Sequence, residues 1–137
     1  MWDIVLATSN SGKIKEFNEF SKMIPNVRFI PQEELGVSPI EETGLTFYEN
    51  AIAKARHASQ ETGKPAIADD SGLCVPALGG APGIISARYA RVGASDTENV
   101  NHLLSELDAF EEEDRYACFH SVIAFLTHFE YPFPNVF

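Results

Sequence analysis

The chain alternates short β-branched runs with stripes of helical period. Residues 4–7 are an apolar run that stops at Thr8-Ser9-Asn10-Ser11-Gly12, after which Ile14, Phe17 and Phe20 recur every third residue. Strand, tight loop and helix follow from that pattern. Pro25-Asn26 ends the helix and residues 27–30 (Val-Arg-Phe-Ile) predict a second strand, so the chain opens β-α-β.

Residues 31–44 hold Pro31, Gly36, Pro39 and Gly44 and predict a loop. Thr46 and Glu49 then have the spacing of a capping box, and Ala51, Ile52, Ala55 and Ala58 form a narrow apolar stripe suited to close packing. Gly63-Lys64-Pro65 terminates this helix. Residues 65–68 predict a strand that delivers Asp69 and Asp70 into a Ser71-Gly72 turn, followed by a short strand at Leu73-Cys74-Val75 and a permissive loop at residues 79–83. A helix capped by Asp96 runs through Val100, Leu103, Leu104 and Leu107, and residues 111–114 predict a solvated acidic turn. Residues 116–129 predict one long strand buried on both faces, with Cys118 as inert core. Pro132 and Pro134 keep residues 131–137 out of regular structure.

No repeat, low-complexity tract or linker interrupts this order, so residues 1–137 read as one α/β domain. The composition agrees: 45% of residues are apolar and 22% charged, as in ordinary soluble domains. A chain of this length builds a core without disulfide staples, so Cys74 and Cys118 need not pair and a reducing, cytoplasmic setting is expected. The apolar stretch at residues 122–126 is far short of the roughly 20 residues needed to cross a bilayer, and the N-terminus has no basic leader. Ten basic against twenty acidic side chains give a net charge of −10, which argues against polymeric nucleic acid as a partner. Anionic small molecules stay open, because a metal ion and a few placed lysines reverse the potential locally.

Three places hold chemistry. Thr8-Ser9-Asn10-Ser11-Gly12-Lys13 leads from a strand into a helix, where unpaired N–H groups, the positive helix end and Lys13 suit a phosphate. It is not a Walker A loop, since the first Gly is missing and Ile14 follows the lysine. Read by itself, it is more simply a capped helix start than a phosphate site. Glu41-Glu42 precede Thr43-Gly44, and Asn50 and Lys54, four apart, share a face of the next helix that either meets a ligand or faces solvent. Asp69-Asp70 end an apolar strand, where buried carboxylates call for hydrogen-bond donors or a hard cation such as Mg²⁺; the bland alternative is a capped turn. His57, His102, His120 and His128 show no zinc spacing, and Ser71 and Ser86 lie in no nucleophile elbow.

In order and spacing, Thr8-Ser9-Asn10-Ser11-Gly12-Lys13, Glu41-Glu42-Thr43-Gly44-Leu45-Thr46-Phe47, Glu49-Asn50-Ala51, Lys54-Ala55, Ala68-Asp69-Asp70-Ser71-Gly72-Leu73 and Leu78-Gly79-Gly80-Ala81-Pro82-Gly83 closely resemble the Ham1/RdgB family of inosine/xanthosine triphosphate pyrophosphatases. The resemblance covers residues 2–128. It implies an elongated two-lobe α/β homodimer with a mixed sheet and flanking helices. The implied reaction is Mg²⁺-dependent hydrolysis of ITP, dITP or XTP to the monophosphate and pyrophosphate. By the same resemblance, the substrate's phosphates would meet Thr8, Ser9, Asn10, Ser11, Gly12, Lys13 and Lys54, with Ser71 also touching substrate. Glu42 and Asp70 would bind Mg²⁺, Asp70 would orient or deprotonate the attacking water, and Glu41 and Asp69 would assist.

Family members continue past the strand ending near His128 with Gly-Phe-Gly-Tyr-Asp-Pro and Ser-His-Arg segments that carry purine recognition. Neither occurs in this sequence, so a C-terminally truncated member is expected, with base selectivity affected most. Two alternatives are carried forward: a fragment that binds nucleotide or a partner chain without turnover, and an aspartic protease of retroviral type, suggested by Asp70-Ser71-Gly72.

Overall fold

A computed structural model describes residues 1–137. Its elements are β1 (Trp2–Leu6), α1 (Ser11–Ser21), β2 (Val27–Pro31), α2 (Phe47–Thr62), β3 (Ala66–Cys74), α3 (Asp96–Leu107), β4 (Cys118–Leu126) and β5 (Asn135–Val136), with short 3₁₀ turns between them. The chain packs as two compact units, one made of Met1–Asp70 with Val122–Phe137 and the other of Ser71–Ser121.

The first unit is built on a sheet of strand order β2-β1-β3-β4-β5. β1 pairs in parallel with β2, from Trp2 opposite Val27 to Leu6 opposite Pro31, and in parallel with β3 at Val5–Ala66 and Leu6–Ile67. β5 is antiparallel to β4, which makes the sheet mixed. Period-two alternation distributes the core over both faces. Val5, Ala7, Ala66, Ala68, Val122, Ala124 and Leu126 pack against Ala51, Ala55 and Ala58 of α2. Ile4, Leu6 and Phe29 pack with Phe17 of α1, flanked by Ile14 and Ile67. The alanine stripe lets α2 lie close to the sheet, while on α1 only Phe17 is buried and Phe20 of the expected stripe is exposed. Gly63, at φ +66°, ends α2 in the left-handed conformation that glycine adopts without strain.

The Cys118 half of β4 is exposed and only Val122, Ala124 and Leu126 are buried, so neither the expected burial on both faces nor an inert core Cys118 holds. The tail departs from expectation as well. Asn135–Val136 joins the sheet, and Ile123 and Phe137 exchange two backbone hydrogen bonds of 2.9 Å. Pro132 and Pro134 both precede β5, so neither removes a donor from the ladder.

In the second unit, Ser71 and Gly72 form no turn, because β3 runs unbroken to Cys74. The Leu73 N–H donates to Ser86 Oγ at 3.0 Å and Cys74 bridges Pro82, so this stretch has partners that keep it extended. α3 is capped by Ser95 rather than Asp96: Ser95 Oγ accepts from the Glu98 N–H, and Glu98 accepts in return from the Ser95 N–H. Glu98 stands at the third helical position and completes a capping box, which fixes the cap one residue earlier than expected. With three α-helices and a parallel sheet core, the nearly all-β architecture that the protease reading requires is excluded.

Candidate active site

β1 lies between β2 and β3; the chain reaches β2 through α1 on one face and returns to β3 through α2 on the other. Such a reversal opens a crevice beyond the carboxyl ends of the parallel strands, the usual ligand position in open α/β sheets. Thr8 to Lys13 follow β1 at this end, and Asp69 and Asp70 lie past the last β1–β3 pair, Leu6–Ile67.

The first loop is shaped by its own polar groups. Thr8 Oγ1 accepts from the Asn10 N–H at 3.1 Å, and Asn10 Oδ1 accepts from the N–H groups of Gly12 (2.9 Å) and Lys13 (3.1 Å). Asn10 is therefore the N-cap of α1, as the capped-start reading holds, and it keeps the positive end of the helix at the crevice. Ser9, Asn10, Ser11 and Gly12 are exposed, while Thr8 and Lys13 are half-buried.

Strand alternation sorts the two aspartates. Ala66 and Ala68 face α2, so Asp70 does too, whereas Asp69 shares the side of Ile67 and α1. Lys13 of α1 accordingly pairs with Asp69 at 2.7 Å, and Lys54 of α2 with Asp70 at 3.0 Å. Lys54 Nζ also donates to Glu42 Oε1 at 3.3 Å. One ammonium thus joins carboxylates 28 positions apart in sequence (residues 42 and 70), while Glu41 points into solvent. Ser71 follows Asp70 in the strand and is half-buried.

Asp70 is 5% exposed. Burial pushes its carboxyl above the ordinary carboxylate range; Lys54 opposes this, and the nearby Glu42 charge adds to it. Asp70 Oδ2 is buried and makes no hydrogen bond. Two hard carboxylates on one cation, one with an unsatisfied oxygen, fit a divalent ion. No group of three or more His, Cys, Asp or Glu is arranged to hold a metal ion by itself, and an ion such as Mg²⁺ commonly takes one or two carboxylates with water and phosphate oxygens.

The expected box at α2 is half made. Thr46 Oγ1 accepts from the Glu49 N–H at 3.1 Å, but Glu49 Oε2 accepts from Leu45 N–H, one residue before the cap. Sequence reasoning missed the neighbouring bond, in which Asn50 Oδ1 accepts from the Gly44 N–H at 2.8 Å. Its signal was a glycine six residues before an asparagine on the apolar side of a helix.

No helix is long and apolar enough to cross a membrane. Residues 4–135 match the family model described as the Ham1 family. A dITP/XTP pyrophosphatase of Yersinia pseudotuberculosis is 57% identical over the whole chain, which spans 69% of that relative's length. One of the same description from Legionella pneumophila is 52% identical over 99% of the chain and 69% of the relative. The structure of a HAM1 protein from Coxiella burnetii superposes with a TM-score of 0.91 at 49% identity, covering 99% of this chain and 68% of that one. The Staphylococcus aureus Ham1 protein superposes with a TM-score of 0.83 at 43% identity, over 98% of this chain and 67% of that one. With Lys13 paired to Asp69 and Lys54 to Glu42 and Asp70 past the ends of the parallel strands, the chain belongs to the Ham1 family.

Proposed function

We propose that this chain hydrolyses non-canonical purine nucleoside triphosphates, such as dITP, XTP and ITP, to the nucleoside monophosphate and pyrophosphate with Mg²⁺. The observation that carries the reading is the Lys54 ammonium shared by Glu42 and Asp70 in the sheet crevice that also receives the Lys13 loop. The dITP/XTP pyrophosphatase relatives supply the substrate class.

A triphosphate brings about four negative charges to a chain of net charge −10. Local cations decide the outcome, since a unit pair at about 4 Å is worth on the order of 4 kcal/mol at an effective dielectric near 20. Lys13, Lys54 and the α1 N-terminus serve the phosphate chain, with Thr8, Ser9, Asn10, Ser11, Gly12 and Ser71 as its hydrogen-bonding surroundings. Glu42 and Asp70 would hold Mg²⁺, which when bound would lower the pKa of water and neutralise charge on the leaving pyrophosphate.

Water adds to the α-phosphorus, the bond from that phosphorus to the oxygen bridging to the β-phosphate breaks, and pyrophosphate leaves. Asp70 orients the water and takes its proton, then releases it to solvent. Burial supports that role, because a carboxyl held above its ordinary range is a stronger base than an exposed one. Asp69 positions Lys13. The same reading takes the chain as cytoplasmic and as one subunit of a homodimer, the latter checked by light scattering.

The test is pyrophosphate release from ITP, XTP, dITP, ATP and GTP with and without Mg²⁺. Metal-dependent turnover favouring the non-canonical purines is expected. Tight nucleotide binding without turnover would instead identify a binding fragment.

A further inference from the structure

The loop that carries Glu42 is tied to α2 by a second residue of that helix. Asn50 is 1% exposed, and its Oδ1 accepts the Gly44 N–H at 2.8 Å. The approach is so close that a Cβ on Gly44 would stand 2.5 Å from this oxygen and 2.8 Å from Glu49 Cβ, which leaves no room for a side chain at position 44. The Leu45 N–H bond to Glu49 Oε2 anchors the next residue to the same turn of α2.

Asn50 Nδ2 is buried and has no hydrogen-bond partner. Turning the amide over would only set its NH₂ against the Gly44 N–H, so the orientation is determined. An interior side chain with half its hydrogen-bonding capacity unmet is poorly suited to stability alone and marks a positional task. One helical turn on, Lys54 shares the face of Asn50 and takes Glu42 Oε1. Glu42 is therefore held from two sides, by its own carboxylate on Lys54 and by the backbone two residues on, at Gly44.

We propose that Asn50 is a positioning residue for the divalent cation: by fixing the Gly44 backbone it sets where the Glu42 carboxylate stands relative to Asp70. The inference rests on the reading of Glu42 and Asp70 as the metal carboxylates. Groups that orient a metal ligand commonly change metal affinity by about 10–100-fold when lost.

The experiment follows Mn²⁺ binding by electron paramagnetic resonance in the presence of a triphosphate with a non-hydrolysable α,β-imido bridge, and nucleotide binding in EDTA in parallel. Asn50→Leu is expected to weaken Mn²⁺ binding about tenfold or more while metal-free nucleotide affinity is unchanged. Gly44→Ala attacks the same contact from the loop, keeps the test open where Asn50→Leu does not fold, and is expected to give the same pattern. The double variant is no weaker than the worse single one, because both changes remove one interaction. Folded variants that bind Mn²⁺ like the wild type overturn the proposal, and so do strictly additive losses or an equal loss of metal-free nucleotide affinity. Wild-type protein that binds no Mn²⁺ under these conditions overturns the metal reading itself, a failure distinct from normal wild-type binding left intact by the substitutions.

Discussion

The Lys54 ammonium lies 3.0 Å from Asp70 Oδ1, with side-chain exposures of 14% and 8%, so α2 and β3 meet at the site through a nearly dry ion pair. Removing one partner of a buried pair strands the other, at a cost of about 3–5 kcal/mol. Lys54→Ala leaves Asp70 and Glu42 facing each other without the amine. Chemical denaturation in EDTA should show a loss of about 3 kcal/mol, the low end of that range. Added Mg²⁺ should restore part of it, because a cation bound to the folded state alone stabilises it.

Asp70→Asn keeps shape and removes the base. Turnover should fall by about 10²–10⁴-fold, the usual span for a lost general base, and steady-state pyrophosphate release measures it. Wild-type rates in this variant would remove Asp70 from the chemistry.

The same carboxyl links stability to pH. Its pKa is raised in the folded state, so above the ordinary value of 3.8 the folded chain holds a proton that the unfolded chain has released. Stability from this group is therefore present at and below that value and is lost as pH rises through the elevated folded-state pKa. Metal-free wild type should lose stability relative to Asp70→Asn across that interval, as read by paired melting curves. A difference independent of pH would contradict the raised pKa.

Lys13 is held 2.7 Å from Asp69 at the start of α1. Lys13→Ala should weaken triphosphate binding about tenfold, equivalent to 1.4 kcal/mol, with a much smaller effect on the unphosphorylated nucleoside. Titration calorimetry at low salt separates the two, since charge contributes only where phosphates are present.

Ser95 makes both halves of its bond exchange with Glu98, and Arg91 braces Glu98 with bonds of 2.8–3.0 Å. Ser95→Ala should lower stability by about 1 kcal/mol without touching nucleotide affinity, measured by urea denaturation beside the binding assay.

Local pattern was a good guide wherever one neighbour sufficed to fix conformation. The 4–7 run, the capped start of α1, the alanine stripe of α2 and the Gly63 stop were legible because each expresses a period or a cap within a few residues. The Ser71-Gly72 turn was misread because those residue types favour turns only until a partner keeps the backbone extended, and Ser86 and Pro82 lie more than ten and about eight residues away respectively. The tail was misread for the same reason: Asn135–Val136 has little strand character until the open edge of β4 offers it a ladder.

The chain's amino acids alone set the opening β-α-β, the helices α2 and α3, the family signature and the stock of lysines and carboxylates, since these depend on residue type and spacing. Folding decided which charges meet. Asp69 and Asp70 are neighbours, yet the pleat of β3 turns one toward Lys13 on α1 and the other toward Lys54 on α2. Glu41 and Glu42 are neighbours too, and only Glu42 reaches an amine. Such choices depend on distances between segments far apart along the chain, which exist only after the sheet has closed between its two helices and water has left the space between them.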